Sequence, residues 1–200
     1  MTLSNAAKAG MALFAGAVQY SIGLILSEIY YPNYNVSLNT ISDLGANCST
    51  SGCVINQPSS IIFNSSVALL GLLVLVGAYF LQRAFHWKPA TVMIALAGIG
   101  ALGVGFFPET AGVWHGLFSL IVFLFAGLSA VVTARFQRRP MSYFSVVLGL
   151  ATLVALVLYV GGNYVGLGPG GLERMVAYPV LLATIAFGGH LMAMNDASKM

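Results

Sequence analysis

An aspartate, a glutamate, a histidine and an arginine carry most of the chemistry open to this chain. Asp43, Glu109 and His115 could work as general acid and base, or hold a metal between them. A carboxylate beside an imidazole raises its pKa and fixes its tautomer. Arg174 offers a planar guanidinium of the kind that grips a phosphate or carboxylate head group. Ser42, Asn64 and Glu173 add a hydroxyl, an amide and a second carboxyl for positioning such a ligand. The metal reading is the weaker one, because neither H-x-x-x-H nor H-E-x-x-H occurs. No cofactor is identified. No nucleophile elbow surrounds the serines, and the glycines of "VGLGPGGLERM" lack the Lys-Ser/Thr ending of a phosphate loop. They are expected to form tight turns.

The same residues have a plainer reading. His115 would bond to a loop, Asp43 would cap its own turn or pair with Arg174, and the glutamates would face water. The polar set would then fix a loop onto the protein and do no chemistry.

The elements that position these residues follow from composition. The 200 residues are 58% hydrophobic and 6% charged, against about a quarter charged in soluble domains. This is the composition of an integral membrane protein. A span needs about 20 apolar residues, and six segments qualify: about 10–30, 60–84, 90–107, 114–135, 142–161 and 175–194. They do not alternate as barrel strands do. The expected fold is all-α, one domain over 1–200, with six transmembrane helices. The net charge of +3 is scattered over segment ends and gives no nucleic-acid surface.

Basic residues set the orientation. With both termini cytoplasmic, Lys8, Arg83, Lys88, Arg135, Arg138, Arg139 and Lys199 fall inside, and only Arg174 falls outside. Glu28, Asp43, Glu109 and Glu173 then lie on the outer side, and Asp196 inside. The one long loop, 31–59, is also outer and holds both cysteines. A local disulfide between Cys48 and Cys53 is expected in an oxidising compartment.

Three further signals concern packing. Ala97, Ala101 and Gly105 recur every four residues and predict a close-packed face, within the bundle or against a second copy. Pro179 is expected to kink the sixth span. Trp114, Tyr30, Tyr31, Tyr34 and Tyr164 should form an outer aromatic belt. His190 lies toward the inner side and reads as an interhelical hydrogen-bonding residue; a haem shared with His86 is the disfavoured alternative.

Several phrases together resemble a known family: "TISDLGA", "FNSSVALLGLLVL", "FPET" followed by "HGLFSLIVFLFAGLSAV", and "GLERMVAYPVLL". This is the membrane family catalogued as domain of unknown function 998. The likeness runs from about residue 10 to 194 and rests on Ser42, Asp43, Asn64, Glu109, His115, Glu173 and Arg174. Cys48 and Cys53 stand outside that pattern. The resemblance implies a six-helix prokaryotic membrane protein with no established activity. The layout is also similar, more remotely, to six-helix eukaryotic membrane proteins linked to lipid remodelling. The expectation is a multi-pass protein of the cell membrane that binds or processes a lipid head group at an outer polar pocket. The alternative is a non-catalytic component, either an accessory subunit or a transporter-like protein. Its partners would be the bilayer and either further copies or another membrane subunit.

Overall fold

The computed structural model describes residues 3–197, with side chains up to Met194. Lys199 and the Asp196 side chain lie outside these. Six long helices are α1 (Asn5–Tyr30), α2 (Ser59–Phe85), α3 (Lys88–Phe106), α4 (Val113–Thr133), α5 (Met141–Val160) and α6 (Gly168–Ala197). All six are long and apolar enough to cross a membrane. The fold is the expected all-α bundle of a multi-pass membrane protein.

Helix limits follow local chemistry. α1 starts several residues before the expected span because Ser4 caps it, its side chain accepting the Ala7 N–H at 3.2 Å. α3 carries Pro89 in its first turn, where no N–H is needed. α6 differs most from expectation. Its first turns are the glycine-rich stretch read as a loop, so Glu173 and Arg174 lie in the second turn and not at the helix start. Gly168 enters the helix at φ +75°, which favours glycine. α6 then runs unbroken through Pro179. In the turn this proline interrupts, Thr152 of α5 donates to the Val176 carbonyl at 2.9 Å.

Each helix packs on the next and α6 returns to α1, closing the bundle; α4 also touches α6, so α5 adds no wall to the central space. Small residues set the seams, as lipid-embedded helices require. Gly10 meets Gly188 between α1 and α6, Gly71 meets Gly98 between α2 and α3, and Gly127 meets Gly149 between α4 and α5. Gly105 packs on Ala68 and the Asn64 backbone of α2. The small face of the third span thus serves the bundle itself. Ile25, Val147, Val154 and Val157 are exposed on the outside, an apolar coat suited to lipid.

The two ends of the bundle differ. One end, the turn end, carries the short α2–α3 and α4–α5 connections. There His190 bonds to the Phe136 carbonyl through Nε2 at 3.0 Å, which fits its interhelical reading. The other, the loop end, carries residues 31–58. This segment holds a two-stranded hairpin of β1 (Asn47–Ser49) and β2 (Gly52–Val54). Cys48 and Cys53 sit directly opposite in that hairpin and are joined as the expected disulfide.

Candidate functional site

The long loop is shaped first by its own side chains. The Asp43 carboxylate accepts from the Thr40 N–H at 3.1 Å, the Thr40 hydroxyl at 2.8 Å and the Asn39 amide at 2.9 Å. This fixes the turn at Ser42–Leu44. Ile41, Leu44 and Ala46 then plug into the mouth of the bundle, all nearly fully buried. On α2, Ser60 donates to the Gly45 carbonyl at 2.6 Å, and Asn64 donates to the same carbonyl at 3.4 Å. The Asn64 Oδ1 atom is buried without a hydrogen-bond partner.

Arg174 straps the loop to α6 and α1. Its Nη2 donates to Glu28 at 2.6 Å and to the Tyr34 hydroxyl at 2.7 Å. Its Nη1 donates to the carbonyls of Val36, Asn39 and Gly170 at 3.0, 3.2 and 2.9 Å. Gly170 is required here, since a Cβ would collide with the Asn39 carbonyl. Tyr34 in turn donates to the Thr40 carbonyl at 2.8 Å. Burial pushes its phenol above the ordinary range despite the Arg174 contact, so it keeps the proton it donates.

Glu173, next in the helix, points the other way, into the bundle. One of its oxygens accepts the Ile41 N–H, and the other lies 3.5 Å from the Ser42 hydroxyl. Glu173, Ser42 and Ile41 form one end of a cavity inside the bundle, of about 110 Å³, whose walls are otherwise mainly aliphatic and aromatic. Ser119 of α4 also lines it. Its hydroxyl lies 3.3 Å from His115 Nε2, while His115 Nδ1 bonds to the Phe107 carbonyl at 2.8 Å. A carbonyl only accepts, so Nδ1 carries a proton. Glu109, on the turn between α3 and α4, accepts the Cys48 N–H at 3.2 Å. Burial pushes its carboxyl above the usual range, and the Asp43 charge adds to this. The Ser42 hydroxyl, the Cys48 N–H and the His115 charge hold it back.

All seven sequence-predicted site residues therefore lie at the loop end. Ser42 and Glu173 share the cavity, with His115 behind Ser119; Asp43, Asn64 and Glu109 hold the loop. Arg174 has its ion pair with Glu28 and not with Asp43. Glu28 was visible as an outer-side acid, but its pairing needs α1 beside α6, which spacing along the chain does not encode. Tyr34, expected in the outer aromatic belt, also bonds Arg174. Among the described residues no group of three His, Cys, Asp or Glu side chains could hold a metal ion.

A closed bundle of six membrane-spanning helices, roofed by a disulfide-bearing loop, defines the class of this molecule as a multi-pass membrane protein. Residues 14–190 match the model of a family described as protein of unknown function, DUF998, and the chain belongs to that family. No curated protein and no solved structure gives a significant match.

Proposed function

We propose that this protein sits in the cell membrane with its loop end outward and binds a lipid head group beneath the loop. The observation that carries this reading is the placement of the buried Glu173 carboxylate and the Ser42 hydroxyl at one end of an otherwise apolar cavity. Buried polar groups facing an apolar space call for a ligand that is greasy with a polar tip. Ser42, Glu173 and the Ser119–His115 pair meet that tip. Acid–base work on the head group falls to Glu109 and His115, with Asp43 fixing the turn that carries Ser42. The outward orientation is supported by the seven basic residues of the opposite side against one here.

The test is lipid carried through purification. Extraction of the pure protein should yield a defined lipid species, depleted in Glu173→Gln and Ser42→Ala. If both variants carry the same lipids as the natural chain, the head-group reading fails.

The second reading, a non-catalytic membrane component with a structural polar cluster, is favoured by one specific feature. The Asp43 carboxylate and both Arg174 Nη groups are engaged by the protein itself. It predicts that Ser42→Ala and His115→Ala lower thermal stability and leave lipid content unchanged.

A further inference from the structure

The cavity is long and narrow. Its walls run from Glu173 to Phe187 on α6 and from Ser119 to Thr133 on α4. At 1.5 Å rise per residue that is about 21 Å. The centre of a water molecule can reach about 110 Å³ of it. Spread over that length, this leaves a tube of about 2.7 Å radius once the water's own 1.4 Å is added. A methylene group has a van der Waals radius of about 2 Å, half the usual carbon–carbon contact, and the zigzag widens the chain to a radius of about 2.4 Å. One such chain fits, and two side by side do not.

The walls ask for a hydrocarbon. Ser129, Thr133 and Thr184 line the tube, yet their hydroxyls donate to their own helices, to Ala126, Ala130 and Val180, at 2.8, 3.3 and 2.7 Å. Apart from the Tyr20 phenol, which also lines the tube, little polar capacity is left along the length, so it does not suit a water file. The exception is the loop end. There one Glu173 oxygen has only the Ser42 hydroxyl, at the limit of hydrogen-bond distance. Arg174 is not available to an anionic head at this end, because its charge is answered by Glu28 at 2.6 Å. A buried carboxyl can hydrogen-bond a hydroxyl head as either donor or acceptor.

A shallow groove lies on the far side of one wall of the tube. α1 and α6 touch closely at Gly10 and Gly188 and are bridged by Arg174 and Glu28 at the loop end. Between those two points lies a groove of about 260 Å³ lined by Ser21, Leu24, Tyr178 and Leu182. Leu181 lines both the groove and the tube.

We infer that the central cavity is the seat of a single-chain lipid with an uncharged hydroxyl head, the chain filling the tube and the hydroxyl meeting Glu173 and Ser42. The inference rests on the lipid reading above and narrows it to monoacyl, non-anionic ligands. The tube accommodates at most about 16 carbons, taking C–C bonds of about 1.5 Å in a zigzag.

The test uses the full chain in a bile-salt detergent, which has no alkyl chain to compete. Monopalmitoylglycerol, dipalmitoylglycerol and palmitate are offered separately and read by native mass spectrometry. The expected result is one monopalmitoylglycerol per chain, with the other two bound at least about tenfold more weakly. Ala101→Phe and Ala183→Phe, at different depths of the cavity wall, should each abolish binding while the protein still elutes as a folded species. Equal binding of dipalmitoylglycerol overturns the single-chain inference and leaves the head-group reading standing. Preferred binding of palmitate overturns the uncharged head. Folded variants that bind normally place the ligand elsewhere and overturn the site. If both variants misfold, the three-ligand comparison on the natural chain decides alone. Absence of all three lipids overturns this inference, and a defined lipid in the purification test would then keep the broader reading alive.

Discussion

At the turn end the helices meet through glycines, rings and neutral amides; at the loop end they meet through a charge. The turn end packs Phe85, Trp87 and Phe187 around Phe136. Gln137 accepts the Ser145 hydroxyl at 2.9 Å, and His190 bonds to the Phe136 carbonyl. Four of its cations stay outside and lie over aromatic faces: Lys8 over Phe80, Arg83 over Tyr79, Arg135 over Trp87 and Arg139 over Tyr143. The loop end does the reverse. It buries Arg174 and uses it to join three segments distant in sequence: α1, the long loop and α6. Short connections need only close packing, since their helices are neighbours already. A 28-residue connection has to be held, and a multidentate guanidinium bonds several backbone carbonyls at once.

The largest effect should come from breaking that latch. Arg174→Met strands Glu28 and the two loop carbonyls of Val36 and Asn39, and should cost about 3–5 kcal/mol of stability. Hydrogen exchange should then rise in residues 34–44 and stay unchanged around His190. Equal loosening at both ends would dissolve the contrast. Arg174→Lys should not restore the latch, because one ammonium cannot span both sets of acceptors.

The matching perturbation at the other end is Gly188→Val. A Cβ there already meets the Gly10 carbonyl and the Phe14 backbone at 2.8 and 2.9 Å. Overpacking of this kind costs about 1–3 kcal/mol. Thermal unfolding should show the loss, while protease cleavage of the long loop stays at its natural rate. A loop freed by this distant change would mean the ends are coupled.

Replacing Cys48 and Cys53 together by serine sharpens the picture within the loop end. The disulfide closes a ring of only five residues' separation on an exposed hairpin. Its loss should cost about 2 kcal/mol or less. Proteolysis should rise between residues 47 and 54 and leave the Arg174 latch intact.

The smallest effect concerns Glu109. Its carboxyl titrates above the ordinary 4.5 in the folded protein, chiefly through burial. A raised acid binds its proton more tightly folded than unfolded, so it favours the fold at low pH. That gain fades as pH climbs through the unfolded value and toward the folded one. Melting temperature should therefore rise slightly as pH falls from about 7 to 5, and Glu109→Gln should flatten that part of the slope. An unchanged slope would remove Glu109 from the pH response.

Much of this was legible beforehand. Long apolar runs fix six helices because only helices and closed barrels satisfy a backbone in lipid, and these runs do not alternate as barrel strands do. The cysteine spacing points to a local bridge, and the polar residues of the loop end share one level along the spans. Boundaries were less legible where glycines lead a helix. Gly168 and Gly170 look like turn residues, and they start α6 because the loop packs so closely on it that no side chain fits. Pairing was least legible. Asp43 and Glu28 are both acids of the loop end, and the sequence offers either to Arg174.

The sequence by itself determined the class, the spans and the level at which each polar group sits, since hydrophobic length and residue type act locally. Only the tertiary structure decided that α6 closes on α1, that Glu28 answers Arg174, and that Glu173 turns inward to a narrow cavity. Those are contacts between residues more than 100 positions apart. Their selection depends on how six similar helices close into one bundle, and no short-range pattern in the chain records that.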